Sequence, residues 1–252
     1  MKRLFLRLWK YVQVFLQPET QRSDINPRSP TDDILEDIAW IFPPKDVHNA
    51  DAWDSYWKKQ IEHGFGPAFF DMFIRDDIIV KAAQRFGLST VLCVGNGISQ
   101  EPVALSRAGL RVTAMDISPL AISLCQAFSE KFHSEDHYIS PSLLLPDGTV
   151  NFVVGDILNR YDCPGPYDIV IERRTIQDYP EDQRREAVAA IISRISTRGI
   201  LVSHCHDGAW KPPAEPYHST RSLIAGLGIE IWKGGDITNL DGRIALTLTS
   251  TG

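Results

Sequence analysis

From residue 90 onward the chain alternates between short apolar runs and longer segments whose apolar positions recur at helical spacing. The runs at 90–94, 111–115, 150–154, 167–171, 200–203, 229–232 and 244–249 are rich in Val, Ile and other β-formers, which predicts strands. Helical patterns at 101–108, 120–132, 181–195 and 219–227 separate them. Strands alternating with helices of that length predict an α/β fold: a mostly parallel seven-stranded sheet with helices on both faces. The last two strands are joined by a stretch containing Gly234–Gly235 and Asp241–Gly242, with no room for a crossover helix. The final strand is therefore expected to pair antiparallel.

The first third of the chain reads differently. Residues 17–50 hold "QPETQRSDINPRSPTDD" and "FPPKD", loop-forming stretches around a short helical piece near Ile34–Ile41. Helical periodicity follows to Gly87, broken at Gly64–Pro67, and the segment is dense in aromatics, Trp40, Trp53, Tyr56, Trp57 and Phe65 among them. The expected division is an N-terminal helical extension over 1–87, acting as a lid, and a second domain over 88–252. At the very start, Leu4, Leu8, Val12 and Phe15 share a helical face while Lys2, Arg3 and Arg7 are cationic. A secretory signal and a spanning helix are both disfavoured by the charges Arg7 and Lys10 within the apolar run. Residues 1–16 suit a helix packed on a core or partner, the commoner fate of such a face, or one lying on a membrane surface.

Composition narrows the picture modestly. The 252 residues, 43% hydrophobic and 23% charged, are those of an ordinary folded domain. A net charge of −6 argues against nucleic-acid binding by bulk electrostatics. The four cysteines are widely spaced, which fits reduced thiols in a cytoplasmic protein rather than a zinc ribbon or disulfide framework.

The candidate chemistry lies at the strand ends, where sheets of this kind bind ligands. The first strand runs into Gly95-Asn96-Gly97, a turn that lets a ligand approach the backbone, with a helix starting near Glu101. Taken alone it is equally a tight turn, since Gln100 stands where a dinucleotide fingerprint has its third glycine. The second strand ends at Asp116-Ile117, where a carboxylate can accept from both hydroxyls of a ribose or cap a helix. The third ends at Asp156-Ile157, suited to an adenine amine with an apolar side chain beside the ring, or to a solvated loop acid. The fourth ends in Glu172, Arg173 and Arg174, facing the mouth of the expected cleft.

This ordered set, "VLCVGNGIS", "VTAMDISP", "VVGDIL" and "YDIVIERRTIQDYP", resembles the successive motifs of the class I S-adenosylmethionine-dependent methyltransferases over roughly residues 88–250. The resemblance implies a Rossmann-like fold, S-adenosylmethionine as cofactor, and methyl transfer to a small-molecule acceptor. It assigns Gly95, Asn96 and Gly97 to the methionine end, Asp116 and Ile117 to the ribose, Asp156 and Ile157 to the adenine, with Glu172 nearby. Three positions depart from that pattern. Cys93 stands where the family usually has an acid, Asn96 where it has a small residue or Cys, and Ser99 where it has a third glycine. Glu101 is a candidate to take over part of the missing acid's role. A narrower likeness is to the thiopurine methyltransferase branch. It rests on "WDSYW", the insert at 133–149, the acid–Arg pair Glu172-Arg173, and "KPPAEPYHS".

On the acceptor side, Trp53, Trp57, Arg173 and Arg174 are the expected substrate contacts, with the aromatics favouring an apolar or cationic acceptor. A hydroxyl or protonated amine acceptor needs a base, for which His204 and His206 are the candidates; a thiol needs none. These histidines, with Asp207 and His218, also resemble a metal set, but lack characteristic spacing, and no metal is expected. Two other readings compete. A nicotinamide dehydrogenase would use Asp116 but lacks the third glycine and should have no antiparallel final strand. A non-catalytic binding or scaffold protein on the same fold would account for Cys93 and Ser99.

Overall fold

A computed structural model describes residues 43–66, 77–129, 148–173, 175–205, 220–231, 240 and 242–249. Among the described residues two helices come first, α1 (Ala50–Glu62) and α2 (Asp77–Phe86). The alternating part follows as β1 (Thr90–Val94), α3 (Glu101–Arg107), β2 (Arg111–Asp116), α4 (Pro119–Ser129) and β3 (Thr149–Val154). It continues through β4 (Tyr167–Arg173), the short α5 (Thr175–Asp178), α6 (Glu181–Ser193), β5 (Ile195–Cys205), α7 (Thr220–Gly226), β6 (Glu230–Ile231) and β7 (Ile244–Thr249).

The strands form one sheet in the order β3-β2-β1-β4-β5-β7-β6. Every pairing in it is parallel. Alternation along each central strand feeds two cores. Val91 and Cys93 of β1, Ile169 and Ile171 of β4, and Ile200 and Val202 of β5 pack with Ile79, Val80 and Ala83 of α2 and with Leu105 of α3. Leu92, Val94, Val170 and Leu201 point the other way, onto Val188 and Ile191 of α6 and Ile224 of α7. Burial on both faces is why these strands read as continuous apolar runs rather than as alternating ones.

The final strand corrects an expectation from sequence. β7 runs parallel to both β5 (Ile200↔Ile244) and β6 (Glu230↔Ile244), not antiparallel. The reason lies in lengths. β6 has two residues, and about a dozen separate it from β7, the span that a parallel return needs even without a helix.

Residues from Pro43 to Gly252 make one compact unit. The segment 43–87, expected to belong to a separate extension, therefore packs with the sheet: Ile79, Val80, Ala82 and Ala83 of α2 lie in its core. Residues 1–42, including the amphipathic 1–16, lie outside the described residues, as does most of the 133–149 insert. No helix among the described residues is long and apolar enough to cross a membrane.

One buried cation organises a loop that matters for the site. Arg194, at the end of α6, donates from its guanidinium to the carbonyls of Ile157 (3.2 Å), Asn159 (3.0 Å) and Cys163 (3.3 Å). Its charge thus fixes the loop that follows β3, which carries Asp156.

Candidate functional site

The sheet grows from β1 toward β2 and β3 on one side and toward β4 and β5 on the other. The carboxyl ends of β1 and β4 therefore bracket the point where strand order reverses, the usual ligand crevice of open α/β sheets.

The turn after β1 has positive φ at Gly95 (59°) and Gly97 (55°), a conformation that favours glycine. Space makes the same demand. A Cβ on Gly95 would lie 2.0 Å from Thr175 Oγ1, and one on Gly97 2.5 Å from Cζ2 of Trp57. The indole of Trp57, on α1, thus lies against the glycine turn. It sits in a run of edge-on aromatic contacts, Trp53 to Tyr56 (5.4 Å) and Tyr56 to Trp57 (4.9 Å). Trp53 is anchored by donating from Nε1 to the carbonyl of Val47 at 3.0 Å.

The Asn96 side chain turns inward. Its amide donates to the carbonyl of Ser99 (3.1 Å) and to Sγ of Cys125 (3.2 Å), while the Cys125 thiol donates to the carbonyl of Gly97 (3.1 Å). The polar side chain braces the turn from within. Cys93 is buried among Ala104, Leu105 and Ile171, so an acid at that position would put a charge among apolar side chains.

Asp116 joins the second strand end to the first. Its Oδ2 accepts the Gly97 N–H at 2.7 Å and its Oδ1 the Ser118 N–H at 2.8 Å. Burial pushes its carboxyl up to about 6, against the lowering effect of these backbone donors. It still ionises near neutrality, and a carboxylate has roughly four lone-pair sites, enough to take ribose hydroxyls as well. Ile117 beside it is half-buried.

Asp54 on α1 was not legible as part of this corner. Its Oδ1 accepts the hydroxyl of Ser118 and the Leu120 N–H (3.0 Å), while Ser118 Oγ accepts the Ala121 N–H (3.0 Å). Together they cap α4 and dock α1 onto it. Asp54→Ala is expected to cost about 1–2 kcal/mol, the range of a lost helix cap, measurable as a lower urea midpoint at unchanged slope.

The third strand end is closed by a segment distant in the chain. His48 Nδ1 lies 3.4 Å from Asp156 Oδ2, and its Nε2 is 3.0 Å from Gln183 Oε1 on α6. The hydrogen bond to Gln183, with help from Asp156, holds the imidazole above its ordinary pKa. Asp156 Oδ1 also accepts the Leu158 N–H at 2.9 Å. Ile157, expected beside an adenine ring, is buried in the second core with Met115 and Tyr179.

The fourth strand end splits into two roles. Glu172, expected among the cofactor contacts, is fully buried and accepts from the Ser203 hydroxyl and from the N–H groups of Thr175 (3.1 Å) and Ile176 (3.4 Å). Burial raises its carboxyl to about 7. Through Thr175, whose hydroxyl donates to the carbonyl of Val94 (3.0 Å), it fixes the floor beneath Gly95. Arg173 instead grips Glu101, donating from Nε to Oε2 at 3.2 Å and from Nη2 to Oε1.

The structure thus brings together Gly95, Gly97, Asp116, Trp57, Glu101 and Arg173, with Asp156 at the next strand end. His204 is placed by its backbone, opposite Arg173 in the β4–β5 register. Its side chain, and Arg174, His206, Asp207 and His218, lie outside the described residues.

No protein-family model matches the chain, and no curated protein sequence does. Among solved structures it is similar to a magnesium protoporphyrin IX methyltransferase (ChlM) from Synechocystis PCC 6803 with bound SAM. That match has 18% identity, covers 84% of this chain and 92% of the other, and has a TM-score of 0.47. A TehB-like SAM-dependent methyltransferase from Corynebacterium glutamicum ATCC 13032 matches at 17% identity over 72% and 83% of the two chains, TM-score 0.46. A protein solved in work on the conversion of a disulfide bond into a thioacetal group during echinomycin biosynthesis matches at 21% identity and TM-score 0.40. The alignment covers 61% of this chain and spans about 60% of that protein's length.

Proposed function

We propose that this chain is an S-adenosylmethionine-dependent methyltransferase of the class I type, acting on a small-molecule acceptor. The observation that carries the reading is the contact between Asp116 and the Gly97 N–H at 2.7 Å. It sets a ribose-binding acid and a glycine turn against each other at the switch point of the sheet.

The donor set suits this cofactor better than a dinucleotide. A pyrophosphate at the end of β1 would meet the buried carboxylate of Glu101, whereas an aromatic face such as Trp57 attracts a sulfonium. The parallel β7 removes one argument against a dehydrogenase, but β7 inserted between β5 and β6 departs from the dinucleotide-binding strand order 3-2-1-4-5-6.

When bound, the cofactor supplies a methyl group on a sulfonium leaving group. The protein's part is then positioning and exclusion of water. Asp116 would hold the ribose hydroxyls and Asp156 the adenine edge beside His48, while Trp57, braced by Tyr56 and through it Trp53, covers the turn. For a hydroxyl or amine acceptor, the base is assigned to His204 or His206. The thiopurine-type branch is the finer reading, supported by Trp57 lying on the glycine turn.

Calorimetric titration of the full chain tests this. Binding of S-adenosylhomocysteine without NAD is the expected result; binding of NAD alone would overturn it. Cofactor binding with no methylated product across a panel of thiols, amines and alcohols would move the assignment to a non-catalytic binding protein.

A further inference from the structure

His48 stands where three parts of the chain meet. Its ring reaches Asp156 Oδ2 on the loop after β3 (3.4 Å) and Gln183 Oε1 in the first turn of α6 (3.0 Å). It also lies edge-on to Tyr179, with centroids 5.7 Å apart, at the link between α5 and α6. Both ring nitrogens thus face oxygen acceptors. A neutral imidazole has one N–H and one lone pair, so only the imidazolium donates in both directions. On losing its proton the ring gives up its attraction to Asp156, and Gln183 must turn its amide over or lose its bond.

The surroundings of the ring are anionic. Asp46 accepts the His48 backbone N–H at 3.1 Å, and its charge and that of Asp156 both favour the imidazolium. The turn of α6 that holds Gln183 also carries Glu181 and Asp182. Burial, with the charges of Asp156, Asp116, Asp178 and Glu186, pushes the Tyr179 hydroxyl up, so the neighbouring ring stays a neutral phenol.

The link from His48 to α1 is stiff. Val47 is buried in the second core, and its carbonyl accepts the Trp53 Nε1–H at 3.0 Å. Asn49 caps α1, accepting the Ala52 N–H at 3.0 Å. The helix then carries Asp54 to the start of α4 and Trp57 to the glycine turn. Holding His48 therefore holds the helix that covers the crevice.

We propose that His48 is a proton-operated latch on α1. As an imidazolium it ties residues 46–49 to Asp156 and Gln183, and as a neutral ring it lets α1 lift from the glycine turn. Apolar packing of Val47 and the aromatic contacts favour closure in either state, and the latch adds the pH-dependent share. Its sign follows from the raised pKa of the folded imidazole. The latch is complete below the ordinary value of 6.5 and is released as pH rises through the raised one. Access to the crevice is therefore slower in mild acid than above neutrality. The inference concerns the motion of α1 and holds whatever ligand the crevice takes.

Hydrogen exchange of the full chain without ligand, at pH 5.5 and 8.5 and corrected for intrinsic rates, is the test. The α1 amides are expected to exchange roughly tenfold or more faster than those of β1 and β4, as a helix that opens while the sheet stays folded must. Asp116 and Glu172 titrate in the same interval, so the unaltered protein is compared with His48→Gln at each pH. At pH 5.5 α1 should be roughly twofold to fivefold better protected in the unaltered protein, the range of an exposed ion pair. At pH 8.5 the two proteins should agree.

A protection ratio that is the same at both pH values would overturn the proposal. So would α1 amides that exchange only as slowly as those of β1 and β4, since the helix would then not lift separately. A nuclear magnetic resonance titration gives the second readout. The His48 ring should change charge above 6.5 in the unaltered protein and move back toward that value in Asp156→Asn. Titration of His48 below 6.5, or no change in Asp156→Asn, would equally sink the latch.

Discussion

Glu172→Gln is expected to make the protein more stable above neutrality, although it removes a fully buried group with three hydrogen-bond partners. Burial raises the Glu172 carboxyl from an ordinary 4.5 to about 7 in the folded protein. Below about pH 4.5 the folded and unfolded chains both carry the proton, and the group leaves stability unchanged. Between that value and about 7 the folded state keeps a proton that the unfolded chain has released, so stability falls as pH rises. Above the window the full cost is in place, about 3 kcal/mol for a shift of this size. Glutamine stays neutral throughout. Its carbonyl oxygen still accepts from Thr175 and Ile176, and its amide can donate to Ser203. Urea unfolding at pH 5, 6.5 and 8 is the measurement. The midpoint of the unaltered protein should drop with pH, and that of Glu172→Gln should drop much less. Parallel curves would show that Glu172 does not carry the titration. Asp116, with its carboxyl at about 6, contributes in the same direction and keeps the variant's profile from becoming flat.

Asp116→Ala is the second large effect, and it acts on binding and stability together. Losing the carboxylate leaves the N–H groups of Gly97 and Ser118 without their acceptor in a buried corner. At about 1–3 kcal/mol for each of these two unsatisfied buried groups, the expected destabilisation is ~2–6 kcal/mol. S-adenosylhomocysteine affinity should fall at least roughly tenfold, about 1.4 kcal/mol, because the ribose hydroxyls lose their acceptor. Asp116→Asn separates the two roles. It keeps an acceptor for Gly97 and so loses less stability, while its amide matches two ribose donors poorly. If Asp116→Ala binds S-adenosylhomocysteine as tightly as the unaltered protein, Asp116 only holds the turn.

These two acids show how differently the sequence speaks about residues of the same type. Asp116 and Glu172 both end apolar strands, and from sequence both are candidates to face a ligand. Which way a strand's last side chain points depends on register and on what packs beyond it. Asp116 is turned toward Gly97, whereas Glu172 is turned under α5 toward Ser203. Asn96 is a parallel case: it lies in the middle of the turn, yet its amide closes inward on Ser99 and Cys125.

The alternation of strands and helices is legible in the sequence, because burial on both faces of a parallel sheet forces continuous apolar runs. So are the glycines at 95 and 97 and an acid at the end of each of the next two strands, since backbone conformation and strand termini are local properties. The direction of β7 emerges only on folding, because a strand of two residues in β6 leaves the chain enough length to return parallel. The tertiary structure alone placed His48 on Asp156, Asp54 on Ser118 and Trp57 on Gly97. The partners in these contacts stand 40 or more residues apart in the chain. It alone paired Glu101 with Arg173 across the crevice, 72 positions apart. Contacts of that separation leave no periodicity in the sequence, since they are set by how finished elements pack.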